Sequence, residues 1–374
     1  MKIKRLCRIS ALFLLCFLLM ACGTAQTDEK QADTAKTMTY WAEGESRTAF
    51  LKYLDAITDE SSPDYIPETD RIAVFDLDGT LIGEQFPVYF DWMMCVHRVL
   101  DDPDYAPTEE QLAVTEEILT AVRSGSFPDD LEEKQFNLSL ELFVGLTQEE
   151  YRTYVRSFLQ TSADRFDGLT LENAWFRTTV EAAQVLQENG FTVYICSGTD
   201  READRVMIAE ILDIPYRQVI GSDAYTVASG QGENGYLEYQ YAEGDVPVRT
   251  AIPIIKNVKS SKPVQIAQEI GQKPVVAFGN STGDLSMFMY TTDANPYRAI
   301  AFCVVPDDDT REVAYPEKAE NLRNICAENG WIPISMKNDF VTIYGDDVTL
   351  DLSSTPWLDR MCAMLEEAEQ SAAA

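Results

Sequence analysis

Histidine is almost missing from this chain. Of 374 residues, His97 is the only one, and it falls midway along an apolar helical pattern. Imidazole chemistry is therefore not expected. Cysteine is present but unpatterned. Three of the eight fall in the first 22 residues, and the other five (Cys95, Cys196, Cys303, Cys326, Cys362) are widely spaced with no Cys-x-x-Cys pair. That pattern supports neither a zinc site nor a disulfide framework, and reads as buried thiols. Cations are scarce as well. The 30 Lys and Arg face 62 Asp and Glu, a formal charge of −32 at pH 7. Such a surface repels nucleic acid and anionic lipid, and repels an anionic substrate unless local cations reverse the field. No internal repeat is present, and the apolar run near the start, ALFLLCFLLM, is too short for a stable spanning helix. What the chain does have is 45% hydrophobic and 10% aromatic residues, enough for a globular core. Its length fits two or three domains, or one domain with a large insertion.

The first residues stand apart. MKIKRLCRIS carries Lys2, Lys4, Arg5 and Arg8 and no acid, and the apolar run follows it. This is the pattern of a secretory signal peptide, residues 1–21. The sequence LMAC, followed by Gly23, resembles the lipobox of bacterial lipoproteins. That resemblance implies cleavage before Cys22, a lipid on Cys22, and an extracytoplasmic protein anchored to the bacterial cell membrane without a spanning helix. The alternative is an ordinary signal peptide ending at Ala21. Residues 22–44 are largely polar and read as a flexible tether.

Beyond the tether, residues 45–58 have the apolar spacing of an amphipathic helix, and RIAVF is a buried strand ending at Asp76. From Phe86 to about Ser162 the pattern is helical throughout, with about four segments, of which PTEEQLAVTEEILTAVRSG opens with Pro and Thr, carries acids in its first turn and ends in Gly. After that the period changes. ENAWFRTTVEAAQVLQENG, FTVYICS, DREADRVMIAEILD and RQVIGSD alternate helix and strand. A β-hairpin is expected within 225–255. The alternation then resumes through KPVQIAQEIG, PVVAFGN, DLSMFMYTT, RAIAFCVV and PEKAENLRNICAENG, and a strand and a helix are expected within 338–368. The expected fold is α/β: a Rossmann-like, doubly wound parallel sheet formed by 45–85 and 163–374, with an all-helical cap, 86–162, inserted after the first strand. Ligands bind such sheets beyond the carboxyl ends of the strands, where Asp76, Asp78, Ser197, Gly198 and Asn280 all fall.

IAVFDLDGTL ends an apolar strand on two aspartates two residues apart. At a strand end both side chains face one side, so two like charges meet and need a proton or a cation. Gly79 permits a tight turn and Thr80 can bond locally; a plain Asp-Gly turn is the bland alternative. Three other segments bear on the choice. FDLDGTL resembles the first motif of the haloacid dehalogenase superfamily, ICSGTD the second, a lysine upstream of the fourth motif the third, and AFGNSTGDLSMF the fourth. The resemblance covers about residues 70–310.

It implies a hydrolase that works through an aspartyl-phosphate. Asp76 would be the nucleophile and Asp78 the general acid and then base. Ser197 and the amide of Gly198 would clamp phosphate, with Thr80 close by, and Lys262 would neutralise charge, with Lys256 and Lys259 as competitors. It also implies Mg2+, held by the Asp76 carboxylate, the backbone carbonyl of Asp78 and the fourth-motif acid. There the chain departs from the pattern, since Asn280 stands where Asp is usual. Either Asn280 ligates through its amide oxygen or Asp284 moves in. The acid at 78 favours phosphate over haloalkanoate, and the absence of a set of membrane helices argues against an ion-pumping relative. The layout is similar to phosphoserine and phosphocholine phosphatases. Gln85 falls where the former carry an amine-binding acid, with Glu84 one place off. Near this hinge, Phe86, Tyr89, Phe90 and Trp92 are either pocket walls suited to a cationic head or the cap's own core. The expected activity is hydrolysis of a small phosphorylated metabolite. A non-catalytic solute-binding lipoprotein and a phosphotransferase are the alternatives.

Overall fold

The computed structural model describes residues 38–235 and 237–372. The expected signal peptide and Cys22 lie outside them. Along the chain, α1 (Glu45–Thr58) leads into β1 (Ile72–Phe75). Four helices follow: α2 (Phe90–Leu100), α3 (Glu109–Ser124), α4 (Leu131–Glu141) and α5 (Gln148–Phe158). Next come β2 (Phe166–Asp167), α6 (Arg177–Glu188), β3 (Thr192–Asp200), α7 (Arg201–Leu212), β4 (Val219–Ala228) and β5 (Pro247–Ile255). The chain continues through α8 (Ser261–Glu269), β6 (Val276–Gly279), α9 (Leu285–Thr292), β7 (Ile300–Val305), α10 (Pro316–Asn329) and β8 (Ile332–Ser335). It ends with α11 (Met336–Asp339), β9 (Thr349–Leu350) and α12 (Pro356–Ala372).

Seven strands form one sheet in the order β5-β4-β3-β1-β6-β7-β8. All neighbours run parallel except β5, which returns antiparallel to β4. The two-residue period of the strands sorts the core into two faces. Ala73 and Phe75 point with Val276, Phe278 and Phe302 toward a cluster that includes residues of α1, α6 and α7. Val74, Ala277, Ala301 and Cys303 point to the other face, against Ile266 of α8, Phe288 of α9 and Leu322 of α10. The sheet is therefore doubly wound. On the first face Phe75, Phe278 and Phe302 stack in register, with centroids 4.4 and 4.7 Å apart. Aromatic pairs of this kind add about 0.5–1.5 kcal/mol each beyond their area burial.

Strand order reverses at β1, the first strand in sequence and the centre of the sheet. Its neighbours β3 and β6 carry connections that leave in opposite directions, which opens a crevice at their carboxyl ends. Helices α2–α5 fill the connection between β1 and the later strands. Thr108 with Gln111 and Thr147 with Glu150 form capping boxes that start α3 and α5, and Gly125, at φ 69°, ends α3.

Several expectations need correction. Residues 38–44 are not tether: Met38 and Trp41 are buried, and Trp41 bridges to Phe340. Two apolar residues in a polar stretch have no period to reveal them. The helix expected from Phe86 starts at Phe90, because Pro87 disfavours helical backbone before it. The strand WIPIS was not anticipated, yet β8 forms an edge of the main sheet. The strand expected after 338 is only β9, which pairs with β2 outside that sheet. Finally, α12 follows the core in sequence but packs on α2 and α3 of the cap, burying Trp357, Leu358 and Met361.

Candidate active site

The crevice beyond β1 is a cavity of about 800 Å3. At its floor the chain turns sharply out of β1. The amide of Asp76 still donates to Phe278 O at 2.9 Å, so the sheet pairing carries the first aspartate into place. The turn then closes through Gly79 N–H to Ile82 O, 2.7 Å, with Gly79 at φ +72°. A side chain at 79 would be strained, and its Cβ would lie 1.8 Å from Asn280 Nδ2.

Lys262, in the first turn of α8, reaches the floor fully buried. Its Nζ donates to Asp76 Oδ1 at 2.5 Å and to Asp284 Oδ1 at 2.6 Å. Burial alone would lower the lysine pKa, but Asp284 and Asp76 outweigh it and hold Lys262 charged. Asp76 is pushed up by burial and by Asp284, and pulled back by Lys262 and by Thr80, whose hydroxyl donates to Asp76 Oδ2 at 3.0 Å. Asp78 lies deeper in proton-binding territory. Burial, then the Asp76 and Asp91 charges, raise its carboxyl to about 8. Asp78 Oδ2 accepts from Thr199 Oγ1 at 2.9 Å, while its Oδ1 is buried without a partner. Two carboxylates two residues apart thus differ in kind. One is held by a lysine and a hydroxyl, and the other is kept protonated at neutral pH.

Asp78, Gly198, Lys262, Asn280 and Asp284 line the cavity with Asp76. Of the three candidate lysines, Lys262 meets the carboxylates; Lys256 instead donates to the carbonyl of Gly198 at 3.0 Å, and Lys259 lines the cavity. Three expected substrate contacts are placed elsewhere. Thr80 is fully buried and spends its hydroxyl on Asp76. The Ser197 hydroxyl is also fully buried and accepts from Thr199 N–H at 3.0 Å. The β3–β4 pairing shifts register between Cys196 and Asp200, which breaks the alternation and gives the cavity Thr199 instead. Gln85 is turned into a small hollow behind the site, and Glu84 faces the cavity. Behind Ser197 lies Asp204, fully buried; burial, then the Asp78 charge, hold it well above the usual carboxylate range, against a weaker pull from the Ser197 hydroxyl.

Asp284 already has partners at both oxygens. Its Oδ1 is taken by Lys262, and its Oδ2 accepts from the amides of Asn280 and Ser281, each at 3.1 Å. Among the described residues no three His, Cys, Asp or Glu side chains cluster as a ready-made metal site. A donor set for a hard cation here is one carboxylate, one backbone carbonyl and one amide, all oxygen, which suits Mg2+. The residues fit such an ion, since acids outnumber lysines in the cavity lining.

The facing wall comes from the cap. Trp92 and Phe127 meet edge to face at 5.9 Å, and Tyr89, Asp129 and Glu132 lie with them along the cavity. Of the four hinge aromatics, Tyr89 and Trp92 line the cavity. Phe86 packs on Phe166 and Tyr344, and Phe90 on Phe158. Phe127 and Lys318 were not anticipated; one follows a helix-ending glycine and the other sits in the first turn of α10, and neither carries a local signal. His97 is structural, with Nδ1 3.2 Å from Asp101 and its ring against Phe158. All five described cysteines are free.

No family model and no curated protein matches the chain. Among solved structures, it is similar to a conserved protein of unknown function from Anaerococcus prevotii, at 14% identity and TM-score 0.49, over 81% of this chain and 95% of that one. It is also similar to cytosolic 5'-nucleotidase IIIB bound to cytidine, at 11% identity and TM-score 0.42, over 88% and 93%. A third is a phosphoserine phosphohydrolase-like protein from Francisella tularensis, at 15% identity and TM-score 0.36, over 67% and 92%. Likenesses this distant carry no argument about chemistry, which rests on the geometry above.

Proposed function

We propose that the chain is a magnesium-dependent phosphomonoesterase of the haloacid dehalogenase superfamily, acting on a small phosphorylated metabolite. The observation that carries this reading is the pair Asp76 and Asp78, one paired to a buried lysine and the other kept as the acid. An Asp76 oxygen attacks phosphorus while the bond to the leaving oxygen breaks. Asp78 gives that oxygen its proton, leaving an aspartyl-phosphate on Asp76. Asp78, now a base, takes a proton from water; the water oxygen attacks phosphorus and frees phosphate and Asp76. Lys262 balances charge throughout, and the loop fixed by Lys256, Ser222 and Asn257 presents Gly198 to the phosphate. Asp76, the Asp78 carbonyl and the Asn280 amide oxygen would hold magnesium, which supplies neutralising charge to the phosphate. Trp92, Tyr89 and Phe127 offer the rest of the substrate an aromatic surface. Attachment to the outer side of a bacterial membrane through Cys22 belongs to the same proposal and rests on the sequence alone.

The test is phosphate release by the purified protein with magnesium, across phosphocholine, phosphoethanolamine, phosphoserine and sugar phosphates. Release from one or a few esters, abolished by Asp76→Asn, is expected. Full activity in Asp76→Asn would sink the mechanism. Silence across the panel, with a phosphorylated ligand raising the melting temperature, would make the chain a binding protein.

A further inference from the structure

We infer that Glu84 is a positioning residue that sets the orientation of the Asn280 amide, and so decides which atom that side chain offers to a cation. The inference rests on the phosphatase reading, in which Asn280 is a ligand. Asn280 is buried at the end of β6, and its Nδ2 donates to Glu84 Oε2 at 3.0 Å. A carboxylate accepts and cannot donate, so only the NH2 group of the amide can sit there. The oxygen, which alone can ligate a hard cation, is turned away from Glu84.

The neighbourhood is shaped around this pair. A Cβ at position 79 would lie 1.8 Å from Asn280 Nδ2 and 2.7 Å from Glu84 Oε2, so Gly79 leaves the space both groups use. Lys318, from the first turn of α10, donates to the other oxygen of Glu84 at 2.8 Å, which keeps the carboxylate from swinging away. The turn after β1 and the first turn of α10 therefore fix the carboxylate that the Asn280 amide meets.

This accounts for asparagine where the superfamily pattern has aspartate. A carboxylate at 280 would face the Glu84 carboxylate at about hydrogen-bond distance with no proton between them, and like charges so placed repel. Asparagine is the residue that Glu84 tolerates. Asp284 is tied to Lys262 and to the amides of Asn280 and Ser281. Residues 84 and 280 form a coupled pair whose identities cannot be changed independently.

The experiment is calorimetric titration of Mg2+ into the purified full chain, without substrate, for wild type, Glu84→Gln, Asn280→Asp and the double variant. Wild type is expected to bind. Glu84→Gln should bind about tenfold more weakly, because partners that orient metal ligands are typically worth about 10–100-fold in affinity. Asn280→Asp alone should gain nothing despite its added charge. The double variant should bind at least about tenfold more tightly than Asn280→Asp, because the repulsion is gone. Wild-type affinity in Glu84→Gln, or effects that simply multiply in the double variant, would overturn the inference while leaving the phosphatase reading intact. Absence of Mg2+ binding by wild type would overturn both. Should Glu84→Gln melt early in the metal-free state, Lys318→Met asks the same question from the rim: a severalfold loss of affinity is expected, and an unchanged affinity overturns the proposal.

Discussion

Asp76, Asp284 and Lys262 at the floor of the cavity are locked by hydrogen bonds of 2.5–3.1 Å drawn from β1, the β6 end and α8. The wall opposite is held differently. Trp92 and Phe127 meet only edge to face, Phe127 is half exposed, and Asp129 and Glu132 beside them stand in solvent. The contrast separates two tasks. Burying three charges is tolerable only when each is paired, so the floor has one arrangement. Packing contacts at an exposed wall are non-directional, so that surface can accept different shapes at little cost. The floor suits one reaction, and the wall suits the choice among substrates.

The comparison breaks most visibly at Lys262. Lys262→Met should lower turnover by more than about a thousandfold and destabilise the fold by about 3–5 kcal/mol, because it leaves two buried carboxylates uncompensated. Denaturant unfolding beside initial rates checks both. A variant as stable as wild type would mean that the floor is not held as described.

Asp78→Asn should retain the fold but lower turnover by about a hundred- to ten-thousandfold. It also tests the sign of a pH effect. Asp78 must carry its proton to act as an acid, so wild-type turnover should fall above pH about 8 as that proton is lost, and fall again at the acid end, where Asp76, pushed up by burial, takes a proton and ceases to be a nucleophile. The residual rate of Asp78→Asn should lack this alkaline limb in a pH–rate profile.

Thr80→Val sharpens the picture of the floor, since it removes one hydrogen bond from Asp76 and keeps the volume. Loss of about 1–2 kcal/mol of orientation, or roughly a tenfold fall in kcat with little change in KM, is expected from steady-state kinetics. A change in KM alone would return Thr80 to the role of a substrate contact.

Phe127→Ala should have the smallest effect. Its stability should stay within about 0.5 kcal/mol of wild type because the ring is half exposed, while KM rises for the preferred ester and kcat holds. A large loss of kcat would show that the wall takes part in the chemistry.

Much of this organisation is legible before folding is considered. The αβ alternation, the helical insertion and the aspartate pair follow from apolar periodicity and strand-end motifs, because both signals are local. The residues from 38 to 44 and α12 are legible only in part. Their helical or polar character is local, but the surfaces they cover are not. Gln85 and Glu84 make the same point at the scale of one residue. The family resemblance placed Gln85 at the substrate position, but the path of the turn aims Glu84 into the cavity.

The sequence by itself determined the doubly wound core and the carboxyl ends where chemistry gathers, because the period of the apolar residues dictates which faces must be buried. Only the tertiary structure decided which hydroxyl on β3 meets Asp78, which lysine meets Asp76, and that Glu84, Asn280 and Lys318 form one unit. Those choices depend on strand register, on a break in alternation after Cys196, and on contacts between residues more than 100 positions apart. Such contacts are settled when helices and strands pack, and no local pattern encodes them.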